Sequence, residues 1–440
     1  MDALKEAVLG VLPGVLDDLA ALVRIPSVSA DPAHDADLLR CAAEVARLAG
    51  ELGLEVRTVS ADGKPAIIAR REVPGQPMVC LYAHYDVQPT GELSQWSSDP
   101  FEVDQRDGRW FGRGVADDKG GLAVHLAALR AFAGTPPVGI TLFVEGEEEI
   151  GSPSLAALLA QNAASLAADV FVIADSVNWA AGVPAFTTTL RGLIDCVVEV
   201  STLDHALHSG QYGGIVPDAL TVLCRLLATL HDERGDVAIA GLVSGRGPAL
   251  EYPPERLAQE TGVLPGVQYL GRGPATDQIW TKPSVTVLAI DATSVAQASN
   301  TLAPSAQAKI SVRLAPGDTS ASAMRALRAH LEANVSWGAH VRVTDGSAGE
   351  PAVVPFEGPV AAAALAAFSD GFGVAPVFVG QGGSIPMVAD FQTAFPEASI
   401  LVTGVCDPDS RMHGADESLR LDDFGKACLA EALFLARLAR

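Results

Sequence analysis

Two largely apolar runs, Met78–Ala83 and Ile140–Val144, each end abruptly in a cluster of charged residues. Apolar at every position but Thr141, they read as strands covered on both faces, the pattern of a parallel sheet between helices. The first run is followed by His84-Tyr85-Asp86 and the second by Glu145-Gly146-Glu147-Glu148-Glu149. Between them stands Asp117-Asp118-Lys119. In an open α/β sheet, ligands bind at the carboxyl ends of the strands. One histidine and several carboxylates delivered there have the chemistry of a metal site built for hydrolysis.

The rest of the chain has the rhythm such a sheet needs. Helical spacing runs over Leu4–Val23 and stops before Pro26, which disfavours helix in the residue preceding it. A second amphipathic helix is expected over Asp35–Leu52. Strands at 56–59 and 66–69, a helix over 120–132, a helix over 154–166 and a strand at 170–174 continue the alternation. Near Thr187 the pattern changes. Strands at 193–200, 285–290 and 308–314, helices over 215–230 and 320–333, and a loop-rich stretch from Gly241 to Lys282 read as a smaller α+β domain. Helices and strands of the first kind resume after Pro355, ending in a helix over 421–438. The expected architecture is α/β: a catalytic domain from residues 1–187 and 351–440, with a mainly parallel sheet flanked by helices, and an inserted lid or dimerisation domain at 188–350.

Composition narrows the partners. A formal charge of −23 over 440 residues argues against nucleic acid and against an anionic membrane surface. The six cysteines are scattered, several within apolar runs, and read as reduced buried thiols. No leader pattern is read at the N-terminus and no apolar run approaches a membrane span, so a cytoplasmic location is expected.

Taken singly, each cluster is ambiguous. Glu145–Glu149 resembles a solvated charge run, Asp117 and Asp118 suit helix caps, and Asp175 suits a turn at a strand end. His208 and Arg313 are open between structural and functional roles. Together and in order they say more. His84-Tyr-Asp-Val-Gln-Pro89, Gly112-Arg-Gly-Val-Ala-Asp-Asp-Lys-Gly120 and Glu145-Gly-Glu-Glu-Glu-Ile-Gly-Ser152 resemble the signature blocks of the co-catalytic di-metal peptidases, which include carnosine dipeptidases, aminoacylases and glutamate carboxypeptidases. Ala174-Asp175-Ser176, Leu207-His-Ser-Gly-Gln-Tyr-Gly-Gly214, Gly382-Gly-Ser-Ile-Pro386 and Met412-His413-Gly414 match further blocks, so the resemblance covers nearly the whole chain. It is closest to the carnosinase-like dipeptidases, where Asp stands at the position of Asp175.

The resemblance implies two divalent cations, Zn2+ by default with Mn2+ as the alternative. Asp117 is implied to bridge them, with His84 and Asp175 completing one and Glu149 and His413 the other. Glu148 is the implied general base, and Asp86 orients the His84 ring. A cis Asp117–Asp118 peptide is also implied. For the substrate, the resemblance implies an oxyanion-stabilising His208 given to the partner subunit of a homodimer, Arg313 on the C-terminal carboxylate, help from the backbone of Gly382, Gly383 and Ser384, and contact from Asn300. The chain departs from the pattern before Gly382, where Val379-Gly380-Gln381 stands in place of a run containing arginine.

The expected activity is hydrolysis of dipeptides with a free carboxylate. Deacylation of N-acyl amino acids or carboxypeptidase action is the rival within the resemblance, and a non-catalytic small-molecule binding protein is the rival outside it. No GxSxG elbow, GxxxxGK[ST] loop or HExxH pair is present.

Overall fold

The computed structural model describes residues 2–383 and 386–439. The chain forms two compact units: Met1–Thr188 with Val354–Val379 and Pro386–Arg440, and Thr189–Val353 with Gly380–Ile385.

The first unit is built on a six-stranded sheet in the order Glu55–Val59, Ala66–Arg71, Gly139–Glu145, Met78–His84, Val170–Ile173 and Ser399–Val402. The last four strands are mutually parallel, and the first two join antiparallel at one edge. Both faces are covered, which is why the central strands are mostly apolar up to their charged ends. On one face Leu81, Leu142 and Val172 enter a core shared with the helices Asp2–Val23, Asp35–Glu51, Lys119–Arg130, Gly358–Phe372 and Leu421–Leu438. On the other, Tyr82, Phe143 and Phe171 gather around Phe391 of the helix Pro386–Ala394, with centroids 5.6 Å from Tyr82 and 4.8 Å from Phe171. This is the mixed α/β fold expected from the sequence, with a parallel centre.

The second unit carries an antiparallel four-stranded sheet ordered Ser284–Asp291, Ser305–Leu314, Gly192–Ser201 and His340–Gly349. Helices Ala219–Ala228 and Ser320–Asn334 supply Leu223 and Leu327 to a core with Ile194, Val198, Ile310 and Val312. The expected long helix over 215–230 is shorter. It begins after Pro217, where the Asp218 side chain accepts the Thr221 N–H at 2.8 Å and fixes the start. The loop-rich stretch holds two short helices, Pro254–Thr261 and Ala275–Trp280, each opening next to a proline. Among the described residues no helix is long and apolar enough to cross a membrane.

Candidate metal centre

Five segments of the first unit converge. His84 closes its strand and lies in register with Glu145 on the neighbouring parallel strand, so the two clusters read from the sequence begin side by side. Asp175 follows the next strand by two residues. Asp117 precedes the helix Lys119–Arg130, and the Asp117–Asp118 peptide is cis. Glu148 and Glu149 open a single 3-10 turn that Gly151 ends in the left-handed region at φ 84°. His413 sits on a loop with its own φ at 62°.

Asp117 is the centre of this convergence. Its Oδ1 lies 3.2 Å from His84 Nε2, and its Oδ2 lies 3.0 Å from His413 Nε2. His413 Nε2 is also 3.3 Å from Glu149 Oε2, and His84 Nε2 is 3.9 Å from Asp175 Oδ1. Two groups bring ligand atoms within 4.8 Å of one another: His84, Glu148 and Asp175, and His84, Asp117 and Glu149. The donors are imidazole nitrogen and carboxylate oxygen, the set that divalent zinc and manganese accept.

Charge makes the same point. Burial pushes the Glu148 carboxyl up to about 8, reinforced by Glu149, Asp117 and Asp86 against the opposing pull of His84. Burial likewise holds Asp175 well above the usual carboxylate range, with Glu148 adding to it. Hydrogen bonds to Asp117 and Glu149 push His413 up to about 10. For His84, burial disfavours the charged ring, but the carboxylates of Asp117 and Asp86 outweigh it. The protein alone therefore retains protons among these groups. Divalent cations suit a pocket that holds protons so tightly.

The supports are as specific as the ligand candidates. Asp86 Oδ1 accepts the Glu148 N–H at 3.2 Å and Oδ2 accepts the Glu149 N–H at 3.1 Å, so one side chain shapes the turn bearing both glutamates. The carbonyl of Asp86 lies 3.0 Å from His84 Nδ1 and its Oδ1 3.3 Å. Asp118 is the N-cap residue by position, but its side chain makes no cap bond. Its Oδ2 accepts the His84 N–H at 3.2 Å instead. Glu145 accepts from the Tyr82 hydroxyl and Glu147 from Lys64 and Ser154, so both are structural.

Sequence reasoning missed three side chains. Gln88 donates to Glu149 Oε2 at 2.8 Å. Glu417 accepts the backbone N–H groups of Gly114, Ala116 and Asp117, each at 3.1 Å. Arg191, in the second unit, donates to the Gly382 carbonyl at 3.2 Å. Gln88 stands inside the block His84–Pro89 and Glu417 three residues beyond the block Met412–Gly414, which was the available signal. Arg191 had none.

The other predicted substrate residues belong to the second unit. Leu207 and His208 pair with Leu302 and Thr301, and the Ser209 N–H donates to the Asn300 carbonyl at 3.0 Å, so His208 and Asn300 are brought together. His208 is exposed, and its Nδ1 accepts the Gly210 N–H at 3.1 Å. In the neutral ring that leaves the proton on Nε2, free to donate. Arg313 lies in register with Leu193 and Ser284. Gly382 and Gly383 are partly exposed beside Gln381, and Ser384 lies outside the described residues.

Known proteins share this arrangement of chain. The cysteinylglycine-S-conjugate dipeptidase of Corynebacterium striatum is 35% identical over 430 residues, covering 96% of this chain and 94% of that protein. The human beta-Ala-His dipeptidase is 28% identical, covering 86% and 80%. Among solved structures, the dipeptidase Dug1p of Saccharomyces cerevisiae superposes with a TM-score of 0.82 at 25% identity, over 100% of this chain and 98% of that one. Peptidase family M20/M25/M40 matches residues 80–437. With its acidic strand ends gathered around one aspartate and its length matched almost throughout, the chain belongs to peptidase family M20/M25/M40 and is a hydrolase.

Proposed function

We propose that this enzyme is a metal-dependent dipeptidase. The observation that carries the reading is Asp117, whose two carboxylate oxygens face two different imidazoles at 3.2 and 3.0 Å, as a carboxylate shared between two cations requires. His84 and Asp175 complete one cation site, and Glu149 and His413 the other. The relatives act on cysteinylglycine conjugates and beta-Ala-His by name, which supports a dipeptide as substrate. Zinc is the expected metal and manganese the alternative, because the donors suit either.

Two bound divalent cations supply polarisation of the scissile carbonyl and a water of lowered pKa. The protein does the rest. Glu148 takes the proton of the attacking water and returns it to the leaving amine. Asp86 holds the turn that aims Glu148 and braces the His84 ring. His208 donates to the developing oxyanion in the partner subunit's site, Asn300 contacts the substrate beside it, and Arg313, with the Gly382–Ser384 backbone, takes the terminal carboxylate. The homodimer this requires is supported by the edge strand Ser284–Asp291, which among the described residues is unpaired along one side and exposes Val287, Leu288 and Ile290. The six cysteines are all free thiols, five of them buried, in keeping with a reducing cytoplasm.

The test is dipeptide hydrolysis and metal content on one sample, for the wild type and Glu148→Ala. About two metals per chain, with cleavage lost in the variant, is the expected result. Metal binding with cleavage of N-acyl amino acids but not of free dipeptides would move the activity to the deacylase reading. A protein that takes up no zinc or manganese would be a binding protein on this scaffold.

A further inference from the structure

In the sheet of the second unit, Val285, Val312 and Ile194 lie in register and face the core under the helices. The residues before and after them, Ser284, Arg313 and Leu193, form a parallel row on the opposite face. Arg191 reaches this row. Its Nη1 donates to Ser284 Oγ at 3.2 Å and to the carbonyls of Gln278 and Lys282, both at 3.4 Å, while Nε donates to the Gly382 carbonyl at 3.2 Å. Every one of these acceptors is neutral. Among the described residues neither Arg191 nor Arg313 has an ion-pair partner, whereas Arg272, Arg328 and Arg342 of the same unit each hold an acid.

The fixing of Arg191 leaves one end open. Nη2 has no hydrogen-bond partner among the described residues, and a Cβ at Gly382 would stand 3.0 Å from it. The absence of a side chain at Gly382 gives Nη2 room beside the backbone. Burial, and then the positive charge of Arg313, bring the Arg191 pKa down to about 10. Two neighbouring guanidinium groups with no acid between them are costly unless an anion joins them.

We propose that Arg191 is a second carboxylate-binding residue, and that the terminal carboxylate of the substrate is the shared counter-charge of Arg191 and Arg313. A carboxylate has two oxygens and accepts from two guanidinium forks at once. The inference rests on the dipeptidase reading above. It also accounts for Val379-Gly380-Gln381, since a guanidinium reaches Gly382 from Arg191 without an arginine in that run. The pair selects substrates ending in a free carboxylate over amides and esters.

The experiment compares wild type, Arg191→Gln and Arg191→Lys as metal-loaded full chains. It reads kcat and KM for a dipeptide and the inhibition constant of the same dipeptide's C-terminal amide. Loss of a charge-assisted contact predicts that Arg191→Gln raises KM for the acid roughly 10- to 100-fold, with kcat held within about threefold. The amide constant stays within about threefold, and Arg191→Lys recovers part of the acid's KM. Equal weakening of acid and amide, or a fall confined to kcat, would overturn the proposal and leave Arg191 as a brace for the Gly382 loop. If the wild type cleaves no free dipeptide, the dipeptidase reading fails, and acetate binding to the metal-free protein by NMR decides the site. Acetate bound by wild type and lost in Arg191→Gln supports it. Acetate bound equally by both, or by neither, overturns it.

Discussion

Arg113 Nη1 donates to Glu417 Oε2 at 2.6 Å, and both side chains are almost wholly out of solvent. The pair joins three loops that bear ligand candidates. Glu417 accepts from the backbone of Gly114, Ala116 and Asp117 and lies four residues after His413. Arg113 Nη2 reaches the carbonyls of Pro89, beyond His84, and Gly414, beyond His413.

Removing one partner strands the other. Glu417→Ala leaves the Arg113 charge buried and three backbone donors unpaired. We expect a loss of about 3–5 kcal/mol in stability from the stranded charge. Urea unfolding of the metal-free protein measures it. A loss under about 1 kcal/mol would mean that water or another acid replaces the carboxylate, and that the pair is not the tie between loops.

Asp86→Asn tests the turn that carries Glu148 and Glu149. Both carboxylate oxygens accept a backbone N–H, whereas an amide offers one acceptor and turns its NH2 against the other donor. Metal affinity and kcat/KM should each fall roughly 10- to 100-fold. Competition against a chelator gives the first and steady-state kinetics the second. Unchanged values in both would show that the turn holds its shape without Asp86.

The protons of the metal-free site predict a pH dependence. Glu148 has a folded pKa of about 8 against an ordinary 4.5, so keeping it ionised costs stability that grows as pH rises from about 4.5 to 8. His413, raised to about 10 from 6.5, stabilises fully below 6.5 and loses that contribution as pH rises toward 10. Both groups bind more protons folded than unfolded, so stability falls with pH through this window. Asp117 is shifted the other way, but its window lies below its ordinary 3.8. Cations that displace these protons bind more readily as pH rises. The gain in Tm on adding zinc to the metal-free protein should therefore be larger at pH 8 than at pH 6. A larger gain at pH 6 would sink the account of these groups as a cation site.

The reach of sequence reasoning follows from where the information sits. Largely apolar runs mark doubly covered strands, and charged residues at their ends mark the crevice, so His84, Glu148 and Glu149 were readable locally. The chain order of motif blocks added Asp117, Asp175 and His413. The long-range bracing contacts were not readable, because their partners are remote: Arg113 and Glu417 are 304 residues apart, and Arg191 and Gly382 are 191 apart. Apolar spacing also overran the start of the helix Ala219–Ala228, since periodicity does not register a proline followed by the capping Asp218.

Gly121 shows how tightly the remaining support is fitted. A Cβ there would stand 2.0 Å from Asp118 Oδ1 and 2.6 Å from the Ala174 carbonyl. The first clash pushes on the carboxylate whose other oxygen holds the His84 N–H, and the second pushes on the backbone just before Asp175. Gly121→Ala should thus cost about 1–3 kcal/mol through overpacking, and it should weaken the first cation site more than its stability loss alone explains. Stability by urea unfolding and zinc affinity by competition, measured beside an equally destabilised variant such as Leu331→Ala in the second unit's core, separate the two effects. If both variants bind zinc with wild-type affinity, the close approach of Gly121 serves packing and not the placement of His84 and Asp175.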